Sequence, residues 1–328
     1  MKNLHLIHVA GLCLAASAAS AEVPELVVYT YDSFITEWGP GPAVKAAFEA
    51  ECGCELTFVG AGDGAALMAR IQLEGARSDA DIVLGLDTNL TEQARATGLF
   101  AAHGMTPELD LPVAWDDAEF LPYDWGFFAF VGNAGTELPH DFASLAASEL
   151  KIAIQDPRSS TPGLGLLMWV QAAYGDGAAD MWEALSDNIL TVTPGWSEAY
   201  GLFLEGEADL VLSYTTSPAY HILAEEDDSK VAVIFDEGHY MQVEVAGILA
   251  ASDQPELAAQ FMAFMVGPAF QSIIPQTNWM YPAVLPEAGL PDAFANPVAA
   301  ENALLFAADE AAQMRADVIE AWRTALSK

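Results

Sequence analysis

Short apolar runs alternate with segments of helical periodicity along the first hundred residues. The runs at 26–31 and 81–86 are rich in β-branched and aromatic or aliphatic residues, which is typical of buried strands. Pro42 ends a Gly-Pro-Gly-Pro turn and suits the first turn of a helix. In chain order the pattern predicts strand 26–31, a helix through Val44, Ala47 and Phe48, strand 54–59, helix 65–74, strand 81–86 and helix 91–97. This alternation, with short loops, indicates a parallel α/β sheet.

The rest of the chain continues in the same way. Thr161 is a good helix N-cap, and Pro162 fits the first helical position. The pattern predicts strands at 127–131, 152–154, 209–214, 231–235 and 240–250, a helix from Thr161 through Gln171, an amphipathic helix at 255–266 and a mostly helical tail at 291–328. One sheet holding all these strands would be large, so we expect two α/β lobes.

Two strands are candidates for crossings between the lobes, one near Phe127 and one near Val243. They divide the chain into a discontinuous first lobe, 22–125 with 245–328, and a second lobe, 126–244. The predicted fold class is therefore α/β with two lobes.

The N-terminus resembles an export signal. Lys2 gives a positive start, an apolar stretch follows from Leu4 to Leu14, and Ala19-Ser20-Ala21 fits a cleavage site. We expect residues 1–21 to be removed and the mature chain to begin at Glu22 in the periplasm. No later apolar run reaches the roughly 18 residues that a membrane span needs.

Composition and charge narrow the possible partners and chemistry. The net charge is −36, from 47 Asp and Glu against 11 Lys and Arg, so a basic face for nucleic acid is not expected. The acids are spread along the chain, and we interpret them as a solubilising surface. Cys52 and Cys54 flank one glycine and are predicted to form a disulfide in an oxidising compartment. They have no nearby His, so a zinc site is not predicted.

Several segments rich in aromatic, hydroxyl and acidic residues follow predicted strands or precede helices. Ligands bind at the carboxyl ends of strands in open α/β sheets, so these segments are candidates for one site. They are 29–34, Asp63-Gly64, 155–165, 195–200, 213–221 and 278–282.

These segments, with 38–42, resemble the periplasmic thiamine-binding proteins of bacterial thiamine importers. The resemblance extends from about Leu26 to the final helix and is strongest over 195–203 and 210–223. It implies a type II periplasmic binding protein, whose two lobes close on a ligand in the cleft between them. It also implies thiamine or a thiamine phosphate as ligand, a membrane permease with its ATPase as partners, a monomer, no cofactor and no metal. The ligand-binding residues that it implies are Tyr31, Asp63, Gly64, Ser160, Thr161, Trp196, Tyr214, Thr215, Thr216, Ser217, Tyr220 and Trp279.

The chemistry of these residues suits thiamine, which joins a cationic thiazolium to a flat aminopyrimidine. Tyr and Trp faces stack on flat rings and attract cations, at roughly 0.5–2 kcal/mol each. Asp63 can accept a hydrogen bond from an amine or balance the cation. The helix start at Ser160 and Thr161 offers hydroxyl and N–H donors for a phosphate or a terminal hydroxyl. Arg158 is the one basic residue in these segments, so we predict that π faces and neutral donors dominate.

Two alternative functions use the same fold. A thiaminase-like enzyme needs a nucleophilic cysteine, which a disulfide between Cys52 and Cys54 would remove. A ferric-ion-binding protein uses paired tyrosines, whereas Tyr214 and Tyr220 lie six positions apart. We interpret His221 and His239 as packing or surface residues.

Overall fold

The computed structural model describes residues 23–327. The predicted export signal at 1–21 lies outside the described residues.

The described residues contain twelve strands, most of them buried. In chain order these are β1 Glu25–Thr30, β2 Glu55–Gly60, β3 Ile82–Asp87, β4 Phe100–Ala101, β5 Phe120–Asn133, β6 Ile152–Gln155, β7 Ile189–Thr193, β8 Leu210–Tyr214, β9 Lys230–Val233, β10 His239–Leu249, β11 Tyr281–Pro282 and β12 Ala303–Leu304.

Twelve α-helices accompany them within the same residues. These are α1 Gly41–Cys52, α2 Gly64–Glu74, α3 Thr91–Arg95, α4 Phe142–Ala146, α5 Thr161–Tyr174, α6 Ala178–Leu185, α7 Trp196–Leu204, α8 Ser217–Ala224, α9 Pro255–Met265, α10 Pro268–Gln271, α11 Ile274–Thr277 and α12 Ala308–Ala325. Short 3₁₀ turns lie at Asp32–Ile35, Gly75–Arg77, Gly175–Gly177, Ser186–Asn188, Asp292–Phe294 and Ala300–Asn302.

The strands follow the order β2-β1-β3-β10-β5-β8-β6-β7. β1, β2 and β3 are parallel, and β10 lies antiparallel between β3 and β5. On the other side of β5, β8 is antiparallel to it, and β6 and β7 run parallel to β8. β5 changes partner between Phe127, which pairs with β10, and Phe128, which pairs with β8. β5 therefore belongs to both lobes of this two-lobed α/β fold.

Each lobe has a dense aromatic core. On the β1 side, Phe48 packs edge-on against Phe261 of α9 at 5.1 Å between ring centroids. On the β8 side, Phe142 packs against Trp169 of α5 at 4.8 Å. The C-terminal helix α12 packs against α5 and α6 as well as α3. The lobe limits at 125/126 and 244/245 remain a prediction.

The predicted strands and helices are present in the structure in the predicted order. The pattern missed strands β4, β7, β11 and β12 and helices α4, α6, α7, α8, α10 and α11. Two of the predicted elements also differ in detail. Ser160, and not Thr161, is the N-cap of α5, because its side chain accepts from the N–H of Gly163. The tail at 291–328 is not mostly helical: its long helix begins only at Ala308. Pro291 and Pro297 lack an N–H donor, which favours the short turns that precede α12.

The predicted disulfide is confirmed, and a second local contact lies in the loop before α5. Cys52 and Cys54 form a disulfide across Gly53, with their Cα atoms 5.2 Å apart. Arg158 and Asp156 form an ion pair on the loop before α5. Within residues 23–327 no single helix is long and apolar enough to cross a membrane; only Pro255–Met265 together with Pro268–Thr277, bent by 52°, meets that length and composition.

Gly165 allows α5 to pack closely on β5. A Cβ atom there would lie 2.0 Å from the Phe128 ring. We expect Gly165→Ala to lower the free energy of unfolding by about 1–3 kcal/mol, because the buried ring must shift. Gly201 of α7 is the matched control, since a Cβ there meets nothing within 4 Å. Urea unfolding that finds Gly165→Ala as stable as Gly201→Ala would contradict this packing.

Candidate ligand-binding cleft

The segments predicted to form one site do follow the carboxyl ends of strands. Tyr31 follows β1, Asp63 follows β2, and Trp196 follows β7. Tyr214 is the last residue of β8, which runs parallel to β6 and β7. The strands of the two lobes run in opposite directions, and the residues that follow their carboxyl ends line one cleft between the lobes.

A cavity of about 530 Å³ lies in the cleft between the lobes, and its volume is within the range of small-molecule sites. Seven predicted site residues line it: Tyr31, Asp63, Trp196, Tyr214, Ser217, Tyr220 and Trp279. The other lining residues are Ser33, Trp38, Pro162, Ser197, Tyr200, Gly201, Leu204, Ala224, Glu244, Thr277, Asn278 and Met280. The remaining predicted residues, Gly64, Ser160, Thr161, Thr215 and Thr216, are buried next to the cavity rather than in its wall.

Asp63 connects the two lobes at one side of the cleft. It caps α2 by accepting from the N–H of Gly64 at 2.7 Å, and it accepts from the Ser160 hydroxyl at 2.7 Å. Burial raises the pKa of Asp63, while these hydrogen bonds lower it in part. Gly64 is required for this approach, because a Cβ atom there would lie 2.0 Å from Thr161 Oγ1.

A second acidic group lies at the floor of the cleft. Glu244 of β10 accepts from the hydroxyls of Tyr31 at 3.1 Å and Tyr123 at 2.6 Å. Asp124 of β5 is directly paired with Glu244 across the strands. Asn278 donates to Asp124 at 2.7 Å and also lies 3.0 Å from the Tyr31 hydroxyl. The floor is thus a buried hydrogen-bonded cluster centred on two carboxyl groups.

Aromatic rings form the walls. Trp196 stacks on Tyr200, with centroids 4.8 Å apart and planes 28° apart. Tyr220 meets the Trp279 ring edge-on at 5.4 Å. Trp38, which is 53% exposed, approaches Trp196 to 6.2 Å at the rim. Flat faces therefore border the carboxyl groups.

Trp279 has an unusual backbone conformation. Its φ of +57° lies in the left-handed region, which costs a bulky residue about 1–3 kcal/mol. The ring lies parallel to Phe294, at 6.4 Å and 7°. The surrounding structure therefore fixes this ring toward the cleft at the expense of local strain.

The Tyr200 and Tyr220 side chains are joined behind the wall by a continuous chain of hydrogen bonds. Tyr200 bonds to His221 Nε2 at 2.9 Å, His221 Nδ1 to Glu225 at 2.8 Å, and the Tyr220 hydroxyl to Glu225 at 2.7 Å. His221 is 1% exposed and is a packing residue. His239, bonded to Phe128 O at 2.7 Å, is another.

We expect His221→Phe to lower the free energy of unfolding by about 1–3 kcal/mol, because it leaves the buried Tyr200 hydroxyl without a partner. Glu225→Ala, at the exposed end of the same chain, should cost less than about 1 kcal/mol. Urea unfolding of both variants tests this order. Equal losses, or a smaller loss for His221→Phe, would contradict a stabilising role for the buried hydrogen bond between Tyr200 and His221.

His221, Glu225 and Asp227 also place their oxygen and nitrogen atoms within 4.8 Å of one another. Such spacing can hold a metal ion, but internal hydrogen bonds already explain it. Asp227 accepts from the N–H and hydroxyl of Ser229 at 2.8 and 2.9 Å. We therefore describe these three residues as part of a hydrogen-bonded network and not as a metal site.

Among residues 23–327, the cysteines and tyrosines considered for the two alternative functions do not form the sites that those functions need. The Cys52–Cys54 disulfide provides no thiolate, and neither residue lines the cleft. The Tyr214 hydroxyl donates to Gln242 at 3.0 Å, and that of Tyr220 to Glu225, so the two phenols do not converge.

Sequence reasoning missed the carboxyl floor. The prediction that π faces and neutral donors dominate the site is incomplete, because Asp63, Asp124 and Glu244 converge there. Among residues 23–327, the ion pairs with Lys, Arg or His include none of these three. Acidic residues inside the buried strands 120–133 and 239–249 were the signal that could have identified Asp124 and Glu244.

Comparisons with known proteins show the family to which the chain belongs. Residues 40–277 match the family model described as bacterial extracellular solute-binding protein. The chain is 51% identical to the thiamine-binding periplasmic protein of Escherichia coli (strain K12), over 97% of this chain and 98% of that one. It is 48% identical to the protein of the same name from Brucella abortus biovar 1 (strain 9-941), over 98% and 97%.

A solved structure, "Periplasmic thiamin binding protein", superposes with a TM-score of 0.90 at 50% identity and covers 94% of this chain and 98% of that one. These proteins are named for binding and not for catalysis. The chain belongs to the family of periplasmic thiamine-binding proteins, within the bacterial extracellular solute-binding proteins.

Proposed function

We propose that this protein captures thiamine in the periplasm and delivers it to the permease and ATPase of an ABC importer. The observation that carries the proposal is the cleft itself. Aromatic faces border buried carboxyl groups that have no basic partner among the described residues. A flat organic cation complements both features, because π faces attract it and it neutralises buried negative charge.

The cleft offers less to the phosphate of a thiamine phosphate. None of the residues that line it is Lys or Arg. A phosphate would depend on hydroxyl and N–H donors such as Ser217 at the start of α8 and Ser197 in the first turn of α7. We therefore propose that free thiamine and its monophosphate bind, and that the diphosphate, with more charge to neutralise, binds more weakly.

The proposed contacts differ between the two groups of predicted residues. Those that line the cavity would touch the ligand directly. Ser160, Thr161 and Gly64 would instead fix Asp63 and the approach of the lobes. Thr215 and Thr216 are the two buried residues that join Tyr214 to Ser217, and Thr216 Oγ1 lies 3.9 Å from the sulfur of Met280. We propose that the unit acts as a monomer whose lobes close on the ligand.

Tryptophan fluorescence provides a test, because Trp38, Trp196 and Trp279 line the cleft. The mature protein is titrated with thiamine, its monophosphate, its diphosphate and ferric nitrilotriacetate. The proposal predicts a saturable change with thiamine and none with the ferric complex. A saturable response to the ferric complex alone would overturn it.

A further inference from the structure

Glu244 is a carboxyl group in a cleft whose walls are mainly aromatic, and ring stacking does not account for its presence there. It lines the cavity but is only 6% exposed. Its Oε2 atom accepts hydrogen bonds from two phenols, those of Tyr31 and Tyr123. Both donors are neutral, since burial raises each phenol's pKa well above its ordinary value. They orient the carboxylate without neutralising it.

The neighbours of Glu244 add negative charge. Asp124, paired with it on β5, is fully buried, and its Oδ1 atom has no hydrogen-bond partner. Asp87, paired with it on β3, is also fully buried. Asp63 acts on it from the start of α2.

The groups that face Glu244 are therefore acids and phenols. The titratable side chains on the elements around it are Tyr31, Asp63, Asp87, Tyr123, Asp124 and Tyr214. One cation, Arg315 of α12, acts on the neighbouring Asp87. Two adjacent buried carboxyl groups without a cation cannot both ionise at neutral pH.

The pair must consequently hold a proton when no ligand is present. Burial, with repulsion from Asp63, raises the pKa of Glu244 to about 7. Burial, with repulsion from Glu244, raises the pKa of Asp124 well above its ordinary value. An organic cation that enters the cleft supplies the missing positive charge and favours the ionised form of the pair.

We infer that Glu244 is the counter-ion that selects a cationic ring, and that the bound cation replaces a proton on the Glu244–Asp124 pair. This inference rests on the proposed function and adds its charge mechanism. A neutral ring of the same shape would fill the aromatic walls but would leave the proton in place. The site therefore selects charge as well as shape.

The sign of the pH dependence follows from the proton count. The protein without ligand binds more protons than the complex, so binding releases protons and affinity rises with pH up to about 7. Above that pH the Glu244–Asp124 pair already carries one negative charge without ligand, so the affinity for thiamine levels off. Between about pH 6 and pH 8, thiamine affinity should increase about tenfold.

Calorimetry in two buffers of different ionisation enthalpy, phosphate and Tris, measures this release. At about pH 7 we expect about 0.5 proton released per thiamine bound, falling to about 0.1 at pH 8. Thiamine that binds with no proton release, and with equal affinity at pH 6 and pH 8, would overturn the inference while leaving the proposed function intact. No binding heat in either buffer would overturn both.

Variants locate the proton. Glu244→Gln should release none, lose the pH dependence and bind thiamine at least about tenfold more weakly at pH 8, because its neutral amide resembles the protonated acid. Asp87→Asn is the comparison, because it removes a buried carboxyl group that is paired with Glu244 on β3 but does not line the cleft. It should keep proton release, with a midpoint at lower pH, since one neighbouring negative charge is lost. Release that survives Glu244→Gln but disappears in Asp87→Asn would overturn the assignment. If Glu244→Gln fails to fold, as judged by circular dichroism, proton release by the unaltered protein still decides the question.

Discussion

Replacing Trp279 with alanine should weaken thiamine binding about 30- to 150-fold, which corresponds to about 2–3 kcal/mol. The ring lines the cleft and is positioned by Tyr220 and Phe294. It would contribute stacking, attraction for the cation and exclusion of water from the ligand. The left-handed backbone of Trp279 supports this role. Gly or Asn would adopt this conformation at lower energetic cost, yet the position carries a tryptophan.

Two further variants separate ring loss from a change in folding. Trp279→Phe keeps an aromatic face and should recover most of the affinity. Trp115→Phe alters a tryptophan outside the cleft, whose indole donates to Phe120 O at 3.0 Å, and should leave affinity unchanged. Calorimetry that finds Trp279→Ala within threefold of the unaltered protein would place the aromatic wall elsewhere.

Asp63→Ala should weaken thiamine binding by a similar amount, about 30- to 100-fold. The carboxylate accepts from Ser160 in the other lobe, and a hydrogen bond to a charged group contributes about 1.5–3 kcal/mol. Its removal leaves the hydrogen of the buried Ser160 hydroxyl without an acceptor and favours separated lobes, so the binding-competent form becomes less populated. Loss of the α2 cap should also cost about 1 kcal/mol of stability.

Asp32→Ala is the matched control for Asp63. Asp32 also accepts from a backbone N–H, that of Gly62 at 3.0 Å, but this contact is exposed and lies within one lobe. Its replacement should change affinity less than threefold. If both variants lose affinity equally, the effect comes from the loop at 60–64 and not from the bond between lobes.

The order of strands and helices was largely predictable, because each element carries its own periodicity and boundary residues. Phe127 and Val243 were chosen as crossings, and the strands around them do lie side by side in the middle of the sheet order. The tail after Pro291 was predicted incorrectly. Its turns depend on packing against other parts of the molecule, such as β12 on β10, which local pattern does not contain.

The site was predictable in part. The segments that follow strands could be identified from their composition, but Tyr31, Trp196 and Tyr214 were singled out by the resemblance to thiamine-binding proteins. The structure places all three in the wall of the cleft. Glu244 and Asp124 could not be paired from sequence, because their contact depends on the antiparallel register of two strands that are 120 residues apart in the chain. A strand that is buried on both faces has no alternation of polar and apolar residues, so its sequence does not show toward which face a single carboxyl group points.

The pairing of Glu244 with Asp124 also shows that the acidic residues of the chain act in two different ways. The net charge of −36 of the whole chain raises the local concentration of any cation only through long-range attraction, which salt screens. Charge in the buried floor is screened far less. High salt should therefore slow thiamine association more than it weakens the final complex.

Calorimetric titration of the purified mature protein with thiamine is the most direct test of the central claim. We expect saturable binding with one thiamine per chain, and competition by thiamine monophosphate for the same site. Absence of binding heat at several temperatures, with a protein that melts cooperatively, would contradict the claim that this cleft captures thiamine.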